Sequence, residues 1–96
     1  MSDMESVDRA MAEIRETILK KSEDYAANGY DSTFRAASDV VGIHPYEMAL
    51  AMSQIKLSRL SSIRKSKQAN YESARDSVLD LASYTILALA MLLDGE

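Results

Sequence analysis

Apolar positions along this chain recur at three- and four-residue intervals, the repeat of an amphipathic helix, and nowhere alternate as a strand would. Val7, Met11, Ile14 and Ile18 lie on one such stripe, and the spacing predicts a first helix over about Ser6–Ala27, capped by Ser6 or Asp3 and ended by Asn28-Gly29. A short second helix is expected over about Ser32–Val41, following Asp31 and closed by Gly42. Pro45 suits the first position of a third helix, which carries Met48, Met52, Ile55 and Ile63 inward and runs to about Lys65. The polar stretch Arg64–Asn70 reads as a connection, and a fourth helix follows over about Tyr71–Leu93. The expected fold is a single all-α domain over residues 1–96, bundle-like, with three long helices and one short.

The fourth helix differs from the others. From Val78 onward, Val78, Leu79, Leu81, Ala82, Ile86, Leu87, Leu89, Met91, Leu92 and Leu93 surround it instead of forming one stripe. An apolar surface on every side requires burial. Three other helices, one of them short, would struggle to cover it, so a partner subunit is expected to share the task and the chain is expected to be an oligomer. The apolar segment Leu81–Leu93 is shorter than the ~20 residues that span a bilayer and lies between Asp80 and Asp94, which favours a buried helix over a membrane anchor.

Composition narrows the class. The chain has 96 residues, no cysteine and a formal net charge of −4, which removes disulfides, thiolate metal sites and any general attraction to nucleic acid or anionic lipid. Its acidic N-terminal residues do not resemble a secretory signal, and a cytoplasmic location is expected. The turn between Val41 and Pro45 resembles that of a helix-turn-helix, but Tyr46, Glu47, Ala49 and Leu50 are not side chains that usually read base edges, so DNA binding is disfavoured. His44, directly before Pro45, reads as a helix cap, and the six methionines read as packing material.

Two groups of side chains carry candidate chemistry. Glu72, Asp76 and Asp80 recur every four residues, so their carboxylates share one face of the fourth helix, and Tyr84 continues the row. Like charges at this spacing repel, so a divalent cation such as Mg²⁺, a nearby lysine or arginine, or solvent must offset them. Asp80, flanked by Leu79, Leu81 and Ala82, calls most strongly for a partner or a metal; Glu72 and Asp76 also suit a solvated helix N-terminus. The cations form the second group. Lys21 occupies the apolar seam of the first helix, where Asp24 could pair with it, and Lys56 and Arg59 lie one turn apart on the third. These cations could neutralise the acidic row. If Lys21, Lys56 and Arg59 instead converge with it, they make a polar pocket within an apolar bundle, a setting suited to a nucleotide phosphate.

The order of these motifs resembles a family of small phage-encoded helical proteins. The residues that carry the resemblance are Lys21-Ser22-Glu23-Asp24-Tyr25, Asp31 with Phe34-Arg35-Ala36-Ala37, Ile55-Lys56-Leu57-Ser58-Arg59-Leu60, and Glu72-Ser73, Asp76-Ser77 and Asp80-Leu81-Ala82-Ser83-Tyr84. They extend over roughly residues 20 to 90. That family is similar to the all-α nucleotide pyrophosphohydrolases of the MazG type, which bind magnesium, and the resemblance implies phage origin and nucleotide handling. The candidate ligand-binding residues are Lys21, Asp24, Tyr25, Phe34, Lys56, Arg59 and Tyr84, and the candidate metal ligands are Glu72, Asp76 and Asp80, with Mg²⁺ as the candidate ion. Tyr25, Tyr30, Phe34 and Tyr84 would offer faces for stacking a base. The acidic set is thinner than in the MazG-type enzymes: Glu13 and Glu16 stand in for their paired glutamates, and the third helix has no matching carboxylates. The expected function is nucleotide binding in phage nucleotide metabolism, with hydrolysis as one form. The alternative is a non-catalytic anti-defence protein that sequesters a nucleotide immune signal or blocks a host protein.

Overall fold

A computed structural model describes residues 3–24, 29–65 and 71–95, with residues 22–24, 71 and 72 described as backbone only. Four helices and no strands are found among them: α1 (Asp3–Asp24), α2 (Ser32–Val41), α3 (Pro45–Lys65) and α4 (Tyr71–Asp94). The bounds of α2 and α3 coincide with those read from the sequence, because local chemistry sets both. Gly42 takes the left-handed conformation (φ 76°) that lets its N–H and that of Ile43 reach the Ser38 carbonyl. At the start of α3 the backbone N–H of His44 donates to Glu47 Oε1 at 3.1 Å, while the His44 carbonyl accepts from the N–H groups of Glu47 and Met48. His44 is thus the cap expected of it, in half of a capping box. The α1 helix already includes Asp3, so Ser6 lies within its first turn. The expected stop at Asn28 falls outside the described residues.

The α3 and α4 helices form the main packed pair. They run antiparallel, since Ser53 meets Thr85 while Lys56 meets Asp80. Small side chains bring them close: Ala49 and Ser53 on α3 are buried, as are Ser77, Ser83 and Ala88 on α4. The Ser53 and Ser83 hydroxyls donate back to the carbonyls of Ala49 and Leu79, at 3.1 and 2.8 Å, so these serines are buried without an unmet hydrogen bond. The α2 helix packs on α3, and among the described residues α1 has only α4 as a backbone neighbour.

The resulting core is small. Phe34, Ala49, Leu87 and Ala88 are its buried apolar residues, with Ile18, Tyr30, Tyr46, Met48, Met52, Tyr84 and Met91 packed around them. Of the side chains expected to point inward, Ile14, Ile18, Met48, Met52 and Ile63 are half-buried, whereas Val7, Met11 and Ile55 are exposed. On α4, Val78, Ile86, Leu89, Leu92 and Leu93 also remain exposed. The stretch Ser73–Asp94 is long and apolar enough to cross a membrane by length and composition, and 22 % of its most apolar window is buried. Measured over the whole helix, this stretch is longer than the Leu81–Leu93 segment considered above. Its one half-buried acid, Asp80, is tied to lysines from two other helices.

Candidate functional site

The site is built where α1, α3 and α4 meet. Lys21 is in the last turn of α1, where its stem lies along the seam that Ile14 and Ile18 begin. Its ammonium stands 3.8 Å from one Asp80 carboxylate oxygen and 4.8 Å from the centre of the Tyr84 ring. Lys56, projecting from α3, reaches the other oxygen of Asp80 at 3.1 Å. The two contacts differ in kind. At 3.1 Å Lys56 makes a charge-assisted hydrogen bond, and its side chain is 22 % exposed. At 3.8 Å and 43 % exposure, Lys21 lies beyond hydrogen-bond reach and rests mainly on the aromatic face. One carboxylate between two ammonium groups leaves a single positive charge in excess, inside a chain whose net charge is −4.

Tyr84 connects this polar cluster to a cavity. Its ring meets that of Phe34 edge to face, with centroids 6.0 Å apart and planes at 88°. Between them and α1 opens a cavity of about 380 Å³, at the low end of the range for small-molecule sites. Ile18, Phe34, Met48, Met52 and Leu87 give it apolar walls; Tyr30 and Thr33 contribute hydroxyl groups and, among the described residues, Lys21 the one charge. The Tyr30 hydroxyl donates to Asp94 Oδ2, fastening the start of α2 to the end of α4. Burial, and next the hydrogen bond to Asp94, push the Tyr30 phenol up to about 12. Alongside, Arg35 Nε donates to Asp31 Oδ2 at 2.6 Å, and this pairing raises the arginine further above its ordinary value.

Thus Lys21, Phe34, Lys56, Asp80 and Tyr84 are brought together. Arg59 is exposed and does not line the cavity, and Asp76 is exposed on the first half of α4. The side chains of Asp24, Tyr25 and Glu72 lie outside the described residues. No group of three or more acidic or histidine side chains that could hold a metal occurs among the described residues. Asp80 is taken up by two lysines, which do for it what a cation would do. Met48 and Met52, taken in sequence as packing material, form a wall of the cavity. Their spacing of four along an inward stripe is common to cores and to pocket walls, so no sequence signal separated the two roles.

A scan of the chain against family models, a search of curated proteins and a search of solved structures found no match.

Proposed function

We propose that this chain binds a nucleotide-type small molecule, with a flat apolar moiety in the cavity between Phe34, Tyr84 and the methionines and an anionic group at Lys21. One observation carries the reading: a lysine stands at the rim of an apolar, aromatic-lined cavity, held on the face of Tyr84 but not hydrogen-bonded to the carboxylate beside it. An incoming phosphate would gain a charge-assisted contact without first breaking one, because Lys56 already satisfies Asp80. In this reading Lys21 contacts the ligand, Tyr84 and Phe34 pack on it, and Lys56 with Asp80 position α3 and α4 around them.

MazG-like kinship, phage origin and action in the host cytoplasm are proposed on the order of sequence motifs, and magnesium as a cofactor on the spacing of Glu72, Asp76 and Asp80. The pairing of Asp80 with two lysines supports binding without metal-dependent hydrolysis, as in a protein that sequesters a nucleotide signal. The exposed apolar surface of α1 and α4 supports the oligomeric state expected from the sequence.

Incubating the protein with a panel of nucleoside phosphates and cyclic dinucleotides, with and without magnesium, and separating the mixture by chromatography tests this reading. Retention of one compound, recovered intact after denaturation, is the expected result. Conversion of a compound only when magnesium is present would replace sequestration by hydrolysis. Neither retention nor conversion of any compound would remove the nucleotide reading.

A further inference from the structure

The chain exposes more surface than a folded monomer of its mass should. Its accessible area is 7105 Å². The area scaling of monomeric proteins gives about 5,500 Å² for 10.6 kDa, an excess of roughly 1,600 Å². A stable interface of standard size takes about 800 Å² from each partner, so the excess is what an extensive interface would cover. The radius of gyration, 14.8 Å, likewise exceeds the roughly 12.5 Å of a compact chain of this length.

Much of the uncovered apolar area lies along α1 and the adjoining side of α4. Met4, Met11 and Leu19 are 61, 60 and 50 % exposed. A groove of about 500 Å³ runs beside them, in which Met11, Ile14, Ile18 and Leu19 of α1 face Ile86 of α4. Leu89 and Leu93 follow Ile86 at spacings that keep them near the same side of α4, and both are exposed.

The order of side chains along this edge of α1 is self-complementary. Met4, Asp8, Met11, Ala12, Arg15 and Leu19 are all exposed. When two copies of α1 are laid antiparallel about a twofold axis between Met11 and Ala12, Met4 of one copy meets Leu19 of the other, Asp8 meets Arg15, and Met11 meets Ala12. Within this set each apolar residue then faces an apolar one, and an acid faces a base on either side of the axis. An isologous interface requires this self-complementarity, which a lipid surface does not. We propose that a second copy of this chain occupies the α1–α4 groove, with antiparallel α1 helices pairing in this register. The proposal rests on the oligomeric reading above and adds its surface and orientation. It also bears on the pocket: among the described residues the backbone of α1 neighbours that of α4 only, so a partner copy seated on the groove would brace the helix that carries Lys21.

Sedimentation velocity of the full chain across micromolar concentrations, with helicity followed by circular dichroism, tests this. The wild type is expected at twice the 10.6 kDa chain mass or an even multiple of it. Met11→Glu should weaken the pairing by about a hundredfold, because each copy would bury a carboxylate in the seam. Asp8→Arg should weaken it about tenfold by setting arginine against arginine, and the double variant Asp8→Arg with Arg15→Asp should restore it. Rescue by the double variant supports the register even if a single variant folds poorly. A wild-type monomer that instead co-sediments with phosphatidylcholine vesicles, or a simple monomer, would overturn both the oligomeric reading and this surface. A wild-type oligomer unchanged in Met11→Glu and Asp8→Arg would overturn the surface alone.

Discussion

Replacing Asp80 by asparagine keeps the side chain's shape and deletes its charge, so it isolates what this carboxylate does between α1, α3 and α4. Lys56 lies 3.1 Å from one of its oxygens and Lys21 3.8 Å from the other, and the Asp80 side chain is 29 % exposed. An exposed ion pair contributes ~0–1 kcal/mol, whereas removing one partner of a fully buried pair costs ~3–5 kcal/mol. A carboxylate less than one-third exposed, with one close and one looser ammonium, falls between these limits at about 2 kcal/mol. The loss includes leaving Lys21 and Lys56 as neighbouring like charges without a counterion. In a chain this short each kcal/mol moves the melting temperature by roughly 4–8 °C, so Asp80→Asn should melt about 8–16 °C below the wild type. Thermal melts by circular dichroism at one protein concentration measure the shift. Asp76→Asn, on the exposed part of the same row, should change stability by no more than ~0.5 kcal/mol. Adding Lys56→Met to Asp80→Asn should recover part of the loss, because the orphaned ammonium is then gone. If Asp80→Asn melts at or above the wild type, the lysines do not hold these helices together. The acidic row would then be a repulsive set awaiting a metal or ligand.

Tyr30 gives a pH dependence. Its phenol titrates near 12 in the fold against about 10 in an unfolded chain. The stabilisation tied to its protonated form is therefore complete below pH 10 and is lost as pH rises towards 12. Urea midpoints should fall across that interval, and the fall should be smaller in Tyr30→Phe; an equal fall in both proteins would contradict the assignment. At Gly42 a methyl group would meet nothing within 4 Å, but the positive φ remains costly for any other side chain. Gly42→Ala should therefore destabilise by about 1–2 kcal/mol, read as a lower urea midpoint with an unchanged slope. No change would mean that the turn after α2 relaxes freely.

The features legible in the sequence were those set by neighbours along the chain. Gly42 and the His44-Pro45 pair mark the ends of α2 and α3 by local backbone chemistry, and the structure agrees at both. Lys21 on an apolar seam and Asp80 beside leucines each stood out as a charge in need of a partner. That they share one site depends on the packing of α1 and α3 against α4, which no local pattern encodes. Lys56 and Arg59 looked equivalent, yet a three-residue step turns a helix by about 300°, and the remaining offset takes one to Asp80 and the other to solvent. The apolar character of α4 was plain, but not which side each neighbour would cover: Leu87 and Ala88 became core, whereas Leu89 and Leu93 remained exposed.

In the proposed function Lys21 presents a positive charge to an anionic ligand at the mouth of the Phe34–Tyr84 cavity. Titration calorimetry of nucleoside phosphates into the wild type, Lys21→Ala and the exposed-lysine control Lys65→Ala tests it most directly. One nucleotide should bind with an affinity that falls about tenfold to a hundredfold in Lys21→Ala, the equivalent of one charge-assisted hydrogen bond, and stays unchanged in Lys65→Ala. Equal affinity for wild type and Lys21→Ala, or no binding of any nucleotide, would contradict it.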